Sequence, residues 1–372
     1  MGLTLMDGNE AVAWGALDAG CRFFAGYPIT PATTIFETMI RILPPSGGIV
    51  LQGEDEIASL GYCLGASMAG FKSLTATSGP GISLYSEHIS FAIGSEIPVV
   101  IADVQRLGPS TGYATMGADG DIQFLRWGNS GGLPVIVLSP VDVRDCYILT
   151  IHAFNLAETL RCPVFIASSK EIGMTRESVD FEAFEPPALV ERVYNPKGSE
   201  YAPFRAAPGT HVPYFAPIGD DVISRQTSSM HGENGYITAD AVQIAAQVER
   251  LKQKLEAEID TFTFHEAHMR AGADTLVITY GITTRAARQA CRELDELGTP
   301  VSHLVLKTLW PVPEKLIQET AVAFRRVVVI EANLGQYVHE VQRVLRDKRV
   351  EFYGKMDGHL ISPDRIKEVI HG

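Results

Sequence analysis

The sequence predicts an α/β protein in which a parallel sheet covered by helices is followed by a second, smaller α/β unit. Three observations carry that prediction. Short apolar runs alternate with helix-period segments throughout the first half. Those runs lack polar alternation, the mark of strands buried on both faces of a parallel sheet. The alternation lapses into prolines, glycines and aromatics from about 171 to 229, then resumes as a second unit of about 100 residues.

In chain order, "GNEAVAWGALDAG" reads as a helix capped by Asp7 or Asn9 and closed at Gly20. "CRFFAG" is a short strand. In the loop "GYPITPATTIF", prolines flank Thr30. Each fixes its own φ and pushes the residue before it out of the helical region, so the loop is stiff with Thr30 at its tip. Pro31 is expected to open the next helix as a first-turn proline, running to about Leu43. "GIVLQ" is a strand, followed by a helix from about Glu56 to Ala69. "KSLTAT" is a strand, "SGPG" a loop and "ISLYSEHISFAIG" a helix. "IPVVIAD", "LPVIVLSP" and "CPVFIAS" complete the first strands, with a helix at about 143–160 before the last. "ADAVQIAAQVERLKQKLEAEID" has helical period and a charged face, as a helix bridging two units would. "DTLVITYG", "TTRAARQACRELDELG", "PVSHLVLK", "RRVVVIEAN" and "GQYVHEVQRVLRD" form the second β–α series.

At 372 residues the chain has room for two or three domains, and 46% apolar with 20% charged residues gives ample core. The net charge of −13 argues against a nucleic-acid groove or an anionic membrane surface as partner. No apolar run approaches the roughly 20 residues that span a bilayer. "MGLTLMDGNE" lacks the basic-then-apolar order of a secretory signal, and Met6 stands where a myristoylation site wants Ser or Thr. The five cysteines (Cys21, Cys63, Cys146, Cys162, Cys291) form no CxxC pair, so reduced, buried thiols of a cytoplasmic protein are expected. His265 and His268 in "HEAH" fall one residue short of HExxH spacing, and no metal ligand is assigned.

Ligands of a parallel α/β sheet bind beyond the carboxyl ends of its strands. Polar punctuation falls there four times: Thr30 after the first strand, Glu56 in "GEDE" after the second, "TSGPG" (77–81) after the third, and "VQRLGPSTGYAT" with Arg106 after the fourth. Singly each has a plainer role, since an acid such as Glu54 or Asp55 ahead of a helix is usually a cap. Four on one rim point to a site. "TSGPG" has neither GxGxxG spacing nor a P-loop lysine, and Pro80 removes a donor, which disfavours ordinary nucleotide binding.

The run "EDEIASLGYCLGASMAGFKSLTATSGPG…IPVVIADVQR" resembles the pyrimidine-binding (PYR) domain of thiamine-diphosphate enzymes. With "GYPITPAT" and "RLGPSTG", the resemblance narrows to the α subunit of 2-oxoacid:ferredoxin oxidoreductases, nearest the 2-oxoglutarate type, and covers nearly the whole chain. It implies a PYR domain over residues 1–180, an irregular connector with a bridging helix over 181–265, and a transketolase-C-like domain over 266–372 that includes "VVVIEANLGQ".

The resemblance also implies roles. Glu56 matches the catalytic glutamate, whose carboxylate on N1′ of the aminopyrimidine favours protonation there and hence loss of the thiazolium C2 proton. Pro28, Ile29, Ser78, Gly79, Pro80 and Gly81 would line the pyrimidine half of thiamine diphosphate. Thr30 and Arg106 match catalytic residues on the substrate, with the guanidinium clamping the 2-oxoacid carboxylate. Ser110, Thr111 and Thr115 complete the substrate side.

The chain lacks the Mg²⁺ motif of such enzymes. In "ADGD", Ala118 replaces the first glycine and Asn129 follows after only 8 residues. The resemblance therefore implies a β subunit carrying the diphosphate-binding domain, Mg²⁺ and a [4Fe–4S] cluster, joined as αβ or α2β2. Separate γ and δ subunits are added in some members. The implied reaction is reversible CoA-dependent oxidative decarboxylation of a 2-oxoacid to acyl-CoA and CO2, with ferredoxin as electron acceptor. "ATMGADGDIQFLRWGNSGG" departs from the 2-oxoglutarate pattern, and Arg126 is the one candidate cation for a distal carboxylate. A branched-chain or aryl 2-oxoacid, a thiamine decarboxylase chain without electron transfer, and a non-catalytic PYR-like scaffold are the alternatives.

Overall fold

The computed structural model describes residues 2–371. Strand β1 (Leu3–Asp7) leads into α1 (Gly8–Asp18). Asp7 accepts from the Glu10 N–H and Glu10 accepts from the Asp7 N–H, a reciprocal cap that fixes the helix start. Then follow β2 (Phe23–Gly26), α2 (Thr33–Ile42), β3 (Ile49–Gln52), α3 (Glu56–Met68) and β4 (Ser73–Thr77). Next come α4 (Gly79–Leu84), α5 (Ser86–Gly94), β5 (Val99–Gln105), α6 (Ile122–Trp127), β6 (Ile136–Leu138) and α7 (Val143–Leu160). The first half closes with β7 (Pro163–Ser169), α8 (Lys170–Met174) and β8 (Arg176–Asp180). After an irregular stretch come α9 (Ala241–Glu256), β9 (His265–His268), β10 (Thr275–Thr279), α10 (Thr283–Glu296), β11 (Ser302–Leu306) and β12 (Thr308–Trp310). The chain ends with α11 (Glu314–Ala321), β13 (Arg326–Glu331), α12 (Val338–Val344), β14 (Val350–Gly354) and α13 (Pro363–His371).

The main sheet has seven strands in the order β12-β6-β7-β5-β4-β2-β3. Strands β2 to β7 run parallel, whereas β12 pairs antiparallel with β6. The second sheet runs β14-β13-β10-β11-β9, parallel except for the edge strand β9. β1 and β8 form a separate antiparallel ribbon.

Every residue of β5 and β7 is buried, in keeping with their largely apolar pattern. One core lies under α1, α2 and α7 and includes Phe24, Ile35, Met39 and Phe154. A second runs without interruption from Ile101 and Phe165 of the main sheet to Leu304, Val327 and Tyr337 of the smaller one. The two α/β units thus share apolar packing.

The irregular segment before α9 is pinned by buried charge. Arg192 holds Glu158 at 2.6 and 2.9 Å and donates to the Ser67 carbonyl at 2.8 Å. Glu96, fully buried, pairs with Arg250 at 2.5 Å and Lys254 at 2.9 Å, which seats α9 on the main sheet.

Two local expectations need correction. Pro31 does not open α2: the helix begins at Thr33 with Ala32 at the cap position, and the Thr30–Pro31 peptide is cis. "SGPG" is not a loop: Ser78 occupies the cap position, and Gly79, Pro80 and Gly81 form the first turn of α4. A proline fits that turn because its missing N–H would have had no helical partner.

Candidate active site

Glu56 is placed by its neighbour. Asp55 caps α3, accepting from the Ala58 N–H at 2.7 Å, which leaves Glu56 at the first position, turned inward and 8% exposed. Glu54 lies outside and accepts from the Tyr62 hydroxyl. The hydrogen bonds of this turn involve Glu54, Asp55 and Ser59, and none engages the Glu56 carboxylate.

Gly81 brings the start of α4 against that carboxylate. A β-carbon at Gly81 would overlap Thr77 Oγ1 and lie 2.9 Å from Glu56 Oε1, so only glycine permits this approach. Thr77 Oγ1 and Ser78 Oγ are buried here without a hydrogen-bond partner. Such orphaned polar atoms beside a free carboxylate are what a polar ligand would satisfy.

Arg106 follows β5 and is 6% exposed. Its Nη1 donates to the Thr30 carbonyl at 2.6 Å and its Nη2 to the Thr111 carbonyl at 2.9 Å, while Nε is buried without a partner. Burial lowers its pKa, though Asp121 opposes the effect. The guanidinium therefore ties the Thr30 loop to the Thr111 loop. The backbone of Gly79 lies beside it: a β-carbon there would stand 3.9 Å from Arg106 Cγ and 4.0 Å from the Ser110 carbonyl. Asn9, fully buried, steadies the first loop from behind by donating to the Pro31 carbonyl at 2.8 Å and to Thr34 Oγ1 at 2.6 Å.

The second loop folds back on itself. Leu107 N–H donates to the Met116 carbonyl at 2.8 Å and Tyr113 N–H to the Leu107 carbonyl at 2.9 Å. Gly112 has φ +48°, and a β-carbon there would overlap the Leu107 carbonyl. Ser110, Thr111 and Thr115 are exposed on this loop, and Thr30 and Pro28 are exposed on the first, with Ile29 packed towards the core.

Behind Arg106 sit two acids that the sequence reading missed. Asp103 is fully buried and Asp121 half-buried, and Asp121 Oδ2 and both Asp103 oxygens lack donors. Burial, then the Asp121 and Asp119 charges, drive the Asp103 pKa well above the usual carboxylate range. Burial also raises Asp121 to about 6, against the pull of Arg106. An aspartate inside the otherwise apolar run "IPVVIAD" was the available signal.

The structure thus joins Thr30, Glu56, Ser78–Gly81, Arg106, Ser110 and Thr111 into one rim. It does not bring Arg126 there. That guanidinium donates to the Leu133 and Gly132 carbonyls at 3.0 and 3.1 Å and stacks 3.9 Å over Trp127. It lines a separate cleft of about 690 Å³ with Trp310 and Arg343. His265 and His268 are exposed on edge strand β9, and all five cysteines are buried and free. Among the described residues no group of three or more His, Cys, Asp or Glu side chains could hold a metal ion, and no helix is long and apolar enough to cross a membrane.

Comparison with known proteins identifies the family. Residues 14–250 match the family described as pyruvate flavodoxin/ferredoxin oxidoreductase, thiamine diphosphate-binding, and residues 273–366 match pyruvate:ferredoxin oxidoreductase core domain II. The chain is 40% identical over 371 residues to the 2-oxoglutarate synthase subunit KorA of Methanothermobacter marburgensis, covering 99% of this chain and 98% of that one. It superposes with a TM-score of 0.92, at 31% identity, on the 2-oxoglutarate:ferredoxin oxidoreductase of Magnetococcus marinus, determined with 2-oxoglutarate, coenzyme A and succinyl-CoA bound. That match covers 99% of this chain and 65% of the other. A split-gene transketolase, at 14% identity and a TM-score of 0.55, shares the fold.

Proposed function

The chain belongs to the α subunits of the 2-oxoacid:ferredoxin oxidoreductase family, and from that premise we propose that it catalyses, with a partner subunit, the CoA-dependent oxidative decarboxylation of 2-oxoglutarate. The products are succinyl-CoA and CO2, and two electrons pass to ferredoxin; the reaction is reversible. The observation that carries the reading is the free Glu56 carboxylate set against Gly81 on a rim with Arg106.

The residues present fit thiamine diphosphate. The space kept open by Gly81, the unengaged carboxylate and the orphaned Thr77 and Ser78 hydroxyls suit a flat, polar aminopyrimidine. When bound, that cofactor supplies the electron sink for decarboxylation. Glu56 would hold a proton at N1′ of the pyrimidine, and Pro28, Ile29 and the first turn of α4 would enclose the ring. Arg106 would set the distance between the two loops and direct its remaining Nε–H and positive charge to the 2-oxoacid carboxylate, helped by Thr30, Ser110, Thr111 and Thr115.

The other half of the site belongs, in this reading, to a β subunit that holds Mg²⁺, the diphosphate and a [4Fe–4S] cluster, assembled as αβ or α2β2, with or without γ and δ subunits. The unit boundaries in this reading are 1–180, 181–265 and 266–372, and the location is cytoplasmic. The test is co-purification with the partner. The complex should reduce ferredoxin or viologen only when both 2-oxoglutarate and CoA are present, and the isolated chain should hold no iron. CO2 release without acceptor reduction would indicate a decarboxylase instead, and no turnover with any 2-oxoacid a scaffold.

A further inference from the structure

The loop bearing Ser110, Thr111 and Thr115 is held at two ends by two different parts of the molecule. Its entry follows directly from β5 of the main sheet, where Arg106 fixes it. Its exit, 119–123, is bound by the segment after β13 of the smaller unit. Asp119 N–H donates to the Ala332 carbonyl at 2.9 Å, and Asn333 Nδ2 donates to the Asp119 carbonyl at 2.7 Å. Gln336 Nε2 donates to the Gly120 carbonyl. In return Gln123 donates its N–H to Gln336 Oε1 at 2.9 Å and its Nε2 to the Gln336 carbonyl at 2.5 Å.

Asn333 is itself rigidly set. It is fully buried, its Oδ1 accepts the Gly335 and Gln336 N–H groups at 2.8 and 3.0 Å, and its Nδ2 also reaches the Tyr280 hydroxyl at 2.7 Å. Tyr280 in turn donates to Glu331 at 2.7 Å, and Glu331 accepts the Tyr337 and Val338 N–H groups at the start of α12. A continuous run of hydrogen bonds therefore links β13 and α12 to the loop exit. The exit then returns to the rim, because the Asp121 N–H donates to Gln105 Oε1 at 3.0 Å, next to Arg106.

We infer that Asn333 and Gln336 of the smaller α/β unit are positioning residues for the substrate loop, setting the loop hydroxyls relative to Arg106 without touching substrate. The role in turnover rests on the function proposed above; the anchoring does not. Misplacing a binding group by about 1 Å is enough to cost one to two orders of magnitude in rate. Exposed loop residues cannot hold such precision alone, so it has to come from the anchors at either end.

The experiment compares the wild-type complex with Gln336→Ala and Asn333→Ala. Amide hydrogen exchange over 107–118 is read beside kcat and the KM values for 2-oxoglutarate and CoA. Both variants should exchange at least several-fold faster over 107–118 and raise KM for 2-oxoglutarate about tenfold, with KM for CoA unchanged. Should buried Asn333→Ala fail to fold, the half-buried Gln336→Ala decides. Unchanged exchange, or a fall in kcat alone, overturns the inference. A wild-type complex without 2-oxoacid activity would overturn the proposed function instead, and the exchange measurement would still decide the anchoring.

Discussion

Arg106 donates through Nη1 to the carbonyl of Thr30 at 2.6 Å, joining loops that lie 76 residues apart in sequence. The guanidinium is thus a strut between two loops as well as a charge. Arg106→Lys keeps the charge and loses the fork, because an ammonium cannot span the Thr30 and Thr111 carbonyls in one plane. Steady-state kinetics of the complex should show kcat/KM for 2-oxoglutarate falling by about a hundredfold, with KM for CoA unchanged.

Gly81→Ala should disturb the cofactor half of the rim. The added methyl overlaps Thr77 Oγ1 and crowds Glu56 Oε1, an overpacking that costs about 1–3 kcal/mol. Titration of the complex with thiamine diphosphate should give weaker binding, while far-UV circular dichroism stays native.

Asp119 ties the fold to pH. Burial, followed by nearby acids, raises its pKa from 3.8 to about 7. The folded state therefore keeps a proton that the unfolded chain releases, so this group's contribution makes stability fall as pH rises from about 4 to 7. Asp119→Asn removes that dependence. Urea denaturation should show the variant gaining about 1 kcal/mol or more on wild type at pH 8 relative to pH 5.

Glu96 works in the opposite sense. Burial opposes its charge, but Lys254 and Arg250 prevail and hold its pKa at about 2. Its contribution is complete above about 4.5 and is lost as pH falls towards 2. Glu96→Ala strands two cations under α9 and should destabilise the chain by about 3–5 kcal/mol in the same assay.

The central parallel strands β2, β4, β5, β6 and β7 were legible because burial on both faces leaves largely apolar runs, and the edge strand β3 was legible from its short apolar run although it is mostly exposed. The longer helices α1, α2, α3, α5 and α7 were legible from their period, whereas the first turn of α4 and the short α6 were not. Strands β1 and β8 were not, since "LTLMD" and "RESVD" gain a partner only from each other across the whole first half. "TLW" of β12 is too short to signal itself, and "HEAH" of β9 is a polar edge strand. At the site, Thr30, Glu56, Gly81 and Arg106 could be named because strand ends in such sheets carry ligands. What could not be read was the engagement of Arg106 by main-chain carbonyls, the Asp103–Asp121 pair, or the hold of Asn333 on the Asp119 carbonyl. Those contacts depend on tertiary proximity that no local pattern encodes.

The role proposed for Glu56 is activation of thiamine diphosphate in a site shared with a partner subunit. Its most direct test is turnover of the purified complex with 2-oxoglutarate and CoA, comparing wild type with Glu56→Gln, a substitution that keeps the shape and removes the charge. A fall of about a hundredfold or more is expected, with the complex intact and cofactor bound. Wild-type turnover in that variant would contradict it.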